Sequence, residues 1–463
     1  MRAEGRPKCE ATDAHLHGRW GRAGAAGATF VVRRVRSYVH TGLRLGRVMT
    51  CVFGMLQTAA CDQEQIAMTS RLPDDEPSCT CAGVLGASRL ESGSAEHKSA
   101  VFTEKTRSVP FKAGDLGYAY FRIPALVSLA SGRLLLVVEG RRDSAQDYGQ
   151  IDLVQTMSDD GGVTWTSPQV IAHGDGRAST NPALVEAAGR LVLVFRETPA
   201  EASEARIRAG EFEGDVSMWV MHSADDGRSW GSPHEITEQV RVPGWRWLVI
   251  GPGHGIRLGG TGYEGRLVFG ANHSTPGGVE DQWLSAHLVY SDDDGDTFDV
   301  GAVEPVGEAD INANESSIAE LSDGTLYINT RNQKGTNAVA RADTYSRDGG
   351  ASYEHRFWPA PALVGPIVHA SVLAGGGCGG GLFLGMPTDP MQRRDFGLYT
   401  SFDDGQSWGQ ATVLTRDWSA YSDLAWLQGG GLGVVLEAGR DGPTEEIRFL
   451  GLDVCVTDPG GHA

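Results

Sequence analysis

Cysteine is scarce where a cross-linked domain would need it. Five of the seven cysteines (Cys9, Cys51, Cys61, Cys79 and Cys81) fall in the first hundred residues, and only Cys378 and Cys455 lie beyond. Their spacing matches neither a zinc site nor an even disulfide framework, so the later region is expected to be held by its core and not by cross-links. Long apolar runs are also missing. No stretch reaches the 18 or so uninterrupted apolar residues of a membrane-spanning helix. Positive charge is short as well: 40 Lys and Arg stand against 59 Asp and Glu, a net charge of −19. Nucleic acid is thereby excluded as the main partner, because phosphate binding needs a basic face. An anionic small molecule is not excluded, since a few inward-pointing arginines reverse the potential locally.

What the chain has in abundance is glycine, 63 residues in 463. Long helices tolerate glycine poorly, whereas β-structure with many turns requires it. Hydrophobic residues at 40% and charged residues at 21% describe a globular chain. The first hundred residues differ. Residues 1–47 are rich in Arg, Gly and Ala with little periodicity, and read as a disordered leader or as sequence upstream of the true start. Residues 48–61 follow Arg44 and Arg47, are apolar from Val48 to Ala60 and end at Cys61, as in a signal segment, which predicts export. Residues 62–98 read as a linker.

An internal repeat organises the rest. The pattern Ser-x-Asp-x-Gly-x-(Ser/Thr)-aromatic occurs at Ser158–Trp165, Ser223–Trp230, Ser291–Phe298, Ser346–Tyr353 and Ser401–Trp408, with starts 65, 68, 55 and 55 residues apart. Asp and Gly make a tight turn, the hydroxyl and carboxylate bond nearby backbone amides, and the ring is expected to bury itself beneath the turn. A calcium loop at Ser291–Phe298 is the alternative, but the loop lacks a twelfth-position Glu. Strand-like pairs precede each octamer, such as 133–140 with 151–158 and 190–197 with 216–223. A sixth pair, 432–439 with 446–454, has no octamer. Six strand groups at this spacing predict an all-β, six-bladed β-propeller over residues 99–458. The last blade is expected to borrow its outer strand from Ala100–Thr103, which would remove an open edge. A β-sandwich or solenoid is the competing architecture.

The five octamers resemble the Asp boxes (BNR repeats) of the exo-α-sialidase, or neuraminidase, family. Tyr120-Phe121-Arg122-Ile123-Pro124 is similar to that family's Tyr/Phe-Arg-Ile-Pro motif, and the matches together span about residues 110–440. The resemblance implies an Arg triad for the substrate carboxylate: Arg122, Arg331 in the Tyr327–Arg331 run, and Arg393, with Arg394 as the alternative third member. A planar, permanently charged guanidinium suits that task. It also implies Tyr421 as nucleophile. A carboxylate nucleophile would approach the like charge of the substrate, whereas a neutral phenol would not, and sialidases are the Tyr exception among glycosidases. Glu315 matches the base that takes the phenolic proton. Asp147 matches the acid/base, with Asp143 and Asp152 as weaker candidates, and Arg141 matches a further arginine contacting ring hydroxyls. Asn181, Glu197, Trp219 and His273 are equal candidates for pocket or scaffold.

The implied activity is retaining hydrolysis of terminal α-linked sialic acids on glycoproteins, gangliosides and oligosaccharides, by a monomer with no metal or organic cofactor. A trans-sialidase, a hydrolase of another nonulosonic acid, and a non-catalytic Asp-box binding module are the rivals.

Overall fold

A computed structural model describes residues 98–457, apart from 213, 261, 277–283, 306–310, 334–338 and 376–379. The leader, export and linker readings of residues 1–97 lie outside the described residues.

The apolar runs form strands at the predicted places. Leu134–Arg141, Ile151–Ser158 and Leu432–Gly439 are buried at every position, as continuous apolar runs require when both sheet faces are covered. The strands fall into six groups, each antiparallel and ordered from inner to outer. The first comprises Tyr120–Ser128, Leu134–Arg141, Ile151–Ser158 and Gln169–Ala172. The second comprises Arg177–Ala187, Arg190–Pro199, Ser217–Ser223 and His234–Glu235. The third has Leu248–Ile250 and Ile256–Arg257 inside Leu267–His273, Ser285–Ser291 and Asp299–Val303. The fourth comprises Ala313–Glu320, Leu326–Asn332, Arg341–Ser346 and Trp358–Pro359. The fifth comprises Ser371–Ala374, Leu382–Pro387, Phe396–Ser401 and Thr412–Val413. The sixth comprises Trp418–Trp426, Leu432–Gly439 and Glu446–Thr457. A parallel bridge from Ile151 to Ala178 joins the first two groups, so the hydrogen-bonded sheets number five.

The sixth group is completed by Ser99–Lys112, which pairs antiparallel with Glu446–Thr457 from Ser99↔Thr457 to Lys112↔Glu446. The inner strands touch in succession. Tyr120–Ser128 packs on Arg177–Ala187, which meets Ile256–Arg257. Leu267–His273 meets Ala313–Glu320, then Ser371–Ala374 follows, then Trp418–Trp426, which packs back on Tyr120–Ser128.

All five octamers share one internal bonding scheme. In the first, Ser158 Oγ donates to Asp160 at 2.8 Å and accepts from Gly162 N at 2.9 Å, while Asp160 also accepts from Thr164 N at 2.9 Å and Thr164 Oγ1 at 2.6 Å. Asp293 is occupied in the same way by Ser291 and Thr297, so its carboxylate is spent on its own turn. The octamers are also joints between groups. A Cβ on Gly227 would meet Leu135, on Gly295 Val192, on Gly350 Val268, on Gly405 Tyr327, and on Gly162 Phe449. Each of these contacts lies in the preceding group, and the first octamer meets the sixth. The rings follow the same rule: Trp165 stacks edge-on against Phe449 at 5.4 Å and donates to Ser108, and Trp230 donates to Gln155. The expectation that each ring is buried under its own turn needs correcting. Four of the five rings are half-buried, because they reach sideways across the joint.

The expectation of a domain free of cross-links also fails at one point. Cys455 is disulfide-bonded, and every other cysteine lies outside the described residues. No helix among the described residues is long and apolar enough to cross a membrane.

Candidate active site

The inner strands are interrupted where they carry polar side chains. Register shifts fall between Arg122 and Ala125, Thr180 and Ala183, Ala313 and Ser316, and Ser419 and Ser422. Ile123 and Asn181 sit there at φ 54°. Bulges of this kind bend a strand and re-aim a side chain. They turn Arg122, Thr180, Asn181, Glu315 and Tyr421 into one cleft, which is also lined by Glu139, Arg141, Asp147, Arg196, Glu204, Trp247, Arg331, Gln333 and Arg393.

Tyr421 lies at the buried end. Its hydroxyl donates to Glu315 at 2.6 Å, and Arg331 Nη1 donates to the same hydroxyl at 3.0 Å and to Glu315 at 2.9 Å. Burial and the adjacent Glu315 carboxylate raise the Tyr421 pKa well above that of a free phenol. Burial alone would raise Glu315 too. The Arg331 guanidinium outweighs it, helped by the phenolic hydrogen bond, and holds Glu315 below the usual carboxylate range. The base is thus ionised and the phenol protonated.

Arg122 is bound on two sides. Its Nε and Nη2 make a fork with Glu437 at 3.0 and 3.1 Å, and Nη1 reaches Asp147 at 3.3 Å. Glu437 also accepts from Ile123 N at 2.9 Å and Tyr421 N at 3.3 Å, so one buried carboxylate fixes both bulges. Asp147 stands on the loop after Leu134–Arg141 with its side chain 70% exposed, 2.8 Å from Arg141. Partial loss of hydration would raise its pKa, but Arg141 and then Arg122 outweigh that and hold it below the usual range. Arg141 is held in turn by Glu139, which also accepts from Asn181 N at 2.8 Å.

Arg393 lines the cleft, 5.9 Å from the Tyr421 ring, and its Nη2 donates to Ile367 O at 3.0 Å. Arg394 turns away, to Asp395 and over Trp418. All seven predicted site residues therefore share one cleft. Asp152 is buried and accepts from Tyr118, Gly174 N and Arg142, a scaffold position, and Asp143 is exposed outside the cleft. Of the four undecided residues, Asn181 lines the cleft. Glu197 pairs with Arg177, Trp219 donates to Ser217, and His273 stacks on Trp245 at 3.6 Å, all outside it.

Sequence reasoning missed Glu139, Glu437, Arg196 and His369. Glu139, Arg196 and Glu437 each interrupt an apolar second strand (LLLVVEGR, RLVLVFRETP, LGVVLEAG), a signal that was readable. His369 lies parallel to the Tyr421 ring at 5.6 Å, and burial lowers its pKa to about 4, so the ring is neutral. Five arginines, a protonated phenol on an ionised carboxylate and a more exposed carboxylate thus face one space. It is suited to an anion carrying a reactive centre between Tyr421 and Asp147.

The family described as BNR repeat-like domain matches residues 128–434. A sialidase of Micromonospora viridifaciens is 30% identical over 354 residues, covering 73% of this chain and 52% of the relative. An exo-alpha-sialidase of Aspergillus fumigatus is 28% identical, covering 56% of this chain and 61% of the relative. The chain thus spans between about half and three-fifths of those relatives' lengths. A Hadza microbial sialidase of known structure is 26% identical with a TM-score of 0.63, over 74% of this chain and 67% of that one.

Proposed function

Because this chain belongs to the sialidase family with BNR repeats, we propose that it is an exo-α-sialidase that hydrolyses terminal sialic acids with retention of configuration, on a six-bladed β-propeller. The cyclic succession of inner strands and of octamer joints supports the propeller. The observation that carries the activity is the triangle of Tyr421, Glu315 and Arg331 facing Asp147 across a cleft with Arg122 and Arg393.

Arg122, Arg331 and Arg393 clamp the carboxylate on the anomeric carbon. Asp147, protonated in the bound complex, gives its proton to the leaving glycosidic oxygen. Tyr421 attacks the anomeric carbon as its proton passes to Glu315, which forms a sialosyl-enzyme and breaks the glycosidic bond. Concerted proton removal lets a phenol of pKa about 10 or more react near neutrality. Asp147, now a carboxylate, then takes a proton from the water that displaces the sugar, and Glu315 returns the phenolic proton. Arg141 meets ring hydroxyls and positions Asp147.

The test is release of sialic acid from an aryl sialoside, with the first-formed anomer followed by NMR. The α-anomer is expected first, and Tyr421→Phe and Asp147→Ala are expected to lose release. Full release by both variants, or an inverted first product, would overturn the reading.

A further inference from the structure

The joint between the fourth and fifth groups differs from that between the first and second. At the earlier joint Gln155 closes the contact. Its Oε1 accepts from the Trp230 indole at 2.8 Å, and its Nε2 donates to Gly227 O at 2.8 Å. Gln155 stands three residues before the octamer serine Ser158, and Asp343 holds the same place before Ser346. Asp343 lines a groove with Gly405 and Trp408 of the fifth octamer. An Asp is shorter than a Gln and, when ionised, cannot donate. Trp408 Nε1 has no partner, whereas the octamer indoles of Trp165 and Trp230 donate to Ser108 and Gln155. Asp343 Oδ2 accepts from the Tyr327 hydroxyl at 3.0 Å, and no cation lies within ion-pair distance of Asp343 among the described residues. Burial raises the Asp343 pKa to about 6, which leaves it ionised at neutral pH. One donor and one acceptor on this groove are thus short of partners.

The same groove carries an aromatic platform. Asp343 and Trp358 are directly opposed on the antiparallel strands Arg341–Ser346 and Trp358–Pro359, so their side chains share one face. Tyr345, two residues after Asp343, shares it too. Trp358 is the most exposed aromatic among the described residues, at 61%. One face of its ring is stacked on His355 at 4.1 Å, and the rest is open. Past Trp358 the groove continues to Asp323, Glu354 and Asp404, with Arg347 bound by Glu354 at 3.0 Å. Four carboxylates therefore stand against one guanidinium along it. It shares no lining residue with the cleft of Tyr421.

We infer that this groove is a second ligand site, and that it binds a neutral pyranose. A sugar hydroxyl both accepts and donates, so one such group serves the Trp408 N–H and the Asp343 carboxylate together. The C–H face of the sugar ring lies against the open part of Trp358. An organic cation would suit Asp343 and the rings but would leave the Trp408 N–H unmet. An anionic sugar is repelled by the carboxylates, so the acid taken by the cleft is excluded here. The groove thus holds the protein to an uncharged part of a glycan, independently of the hydrolytic reading.

The experiment is saturation-transfer NMR of the full chain with the methyl glycosides of galactose, glucose, mannose and N-acetylglucosamine. Tetramethylammonium chloride serves as the cationic rival. At least one neutral glycoside is expected to give a saturable signal, which excess N-acetylneuraminic acid leaves in place. Trp358→Ala, a change at an exposed ring, is expected to weaken that binding at least about tenfold while release from an aryl sialoside stays at the wild-type rate. Binding by none of the four glycosides, binding of tetramethylammonium alone, an affinity unmoved in Trp358→Ala, or displacement by N-acetylneuraminic acid each overturns this inference and leaves the sialidase reading untouched. Failure of the wild-type chain to release sialic acid overturns that reading and leaves this inference standing.

Discussion

Arg331 Nη1 donates to the Tyr421 hydroxyl at 3.0 Å and, from the same nitrogen, to Glu315 at 2.9 Å. One cation thus touches both the phenol and its base. It steadies any phenolate that develops, but it also draws basicity out of Glu315. In the resting cleft the proton stays on oxygen of Tyr421, and transfer has to accompany bond formation at the sugar.

Removing either partner of that bond should therefore fall on kcat. Tyr421→Phe and Glu315→Gln are each expected to lower kcat on an aryl sialoside by about 10²–10⁴-fold. Calorimetry should show sialic acid still binding to Tyr421→Phe within about tenfold of wild type, because the arginines are untouched. A Tyr421→Phe enzyme turning over at the wild-type rate is the outcome that would sink the assignment.

Asp147 sits between Arg141 and Arg122, which hold it ionised in the empty cleft. A substrate carboxylate takes Arg122 and brings a negative charge nearby, and both effects raise the Asp147 pKa. The protonated acid then survives to higher pH in the complex than in the free enzyme. The alkaline limb of kcat should therefore lie at higher pH than that of kcat/KM. Coincident limbs would count against it.

The same role gives a leaving-group prediction. Asp147→Ala is expected to lose about 10²–10⁴-fold on sialyllactose, whose alcohol needs a proton. The loss should be much smaller on a difluorophenyl sialoside, whose phenolate leaves unaided. Equal losses on the two substrates would assign Asp147 another task.

Glu437 is fully buried and binds Arg122 through both oxygens, as well as the amides of Ile123 and Tyr421. Glu437→Ala strands a buried cation and frees two bulges. It is expected to cost about 3–5 kcal/mol of stability, read from urea denaturation. Surviving folded enzyme should show a raised KM.

The octamer carboxylates set an acid limit. Their hydrogen bonds to hydroxyls and amides hold Asp160 and Asp225 at about 2, below an ordinary Asp. A depressed pKa gives stability that is present above the unfolded value, near 4, and is lost as pH falls toward about 2. The urea midpoint should drop over that window, with a shallower slope in Asp160→Asn. A slope unchanged by the substitution would mean other carboxylates dominate.

Much of this was legible. The octamers marked the turns, apolar runs marked the strands, and short motifs marked Arg122, Arg331 and Tyr421. The borrowed outer strand was foreseen at Ala100–Thr103 but runs from Ser99 to Lys112. What stayed hidden was pairing across distance. Arg122 and Glu437 stand 315 residues apart, and no local pattern joins them. The sideways reach of the octamer rings was hidden for the same reason, since a neighbouring group supplies their cover.

The pairing of Ser99–Lys112 with Glu446–Thr457 has a consequence for synthesis. Ser99 and Thr457 meet across 358 residues. On the ribosome the earlier strand emerges with its backbone donors and acceptors unmet, and they stay so until nearly all the intervening chain has followed. That early strand is an exposed edge for the longest part of the protein's making. A nascent chain stalled anywhere before Glu446 would present that unpaired edge to other chains.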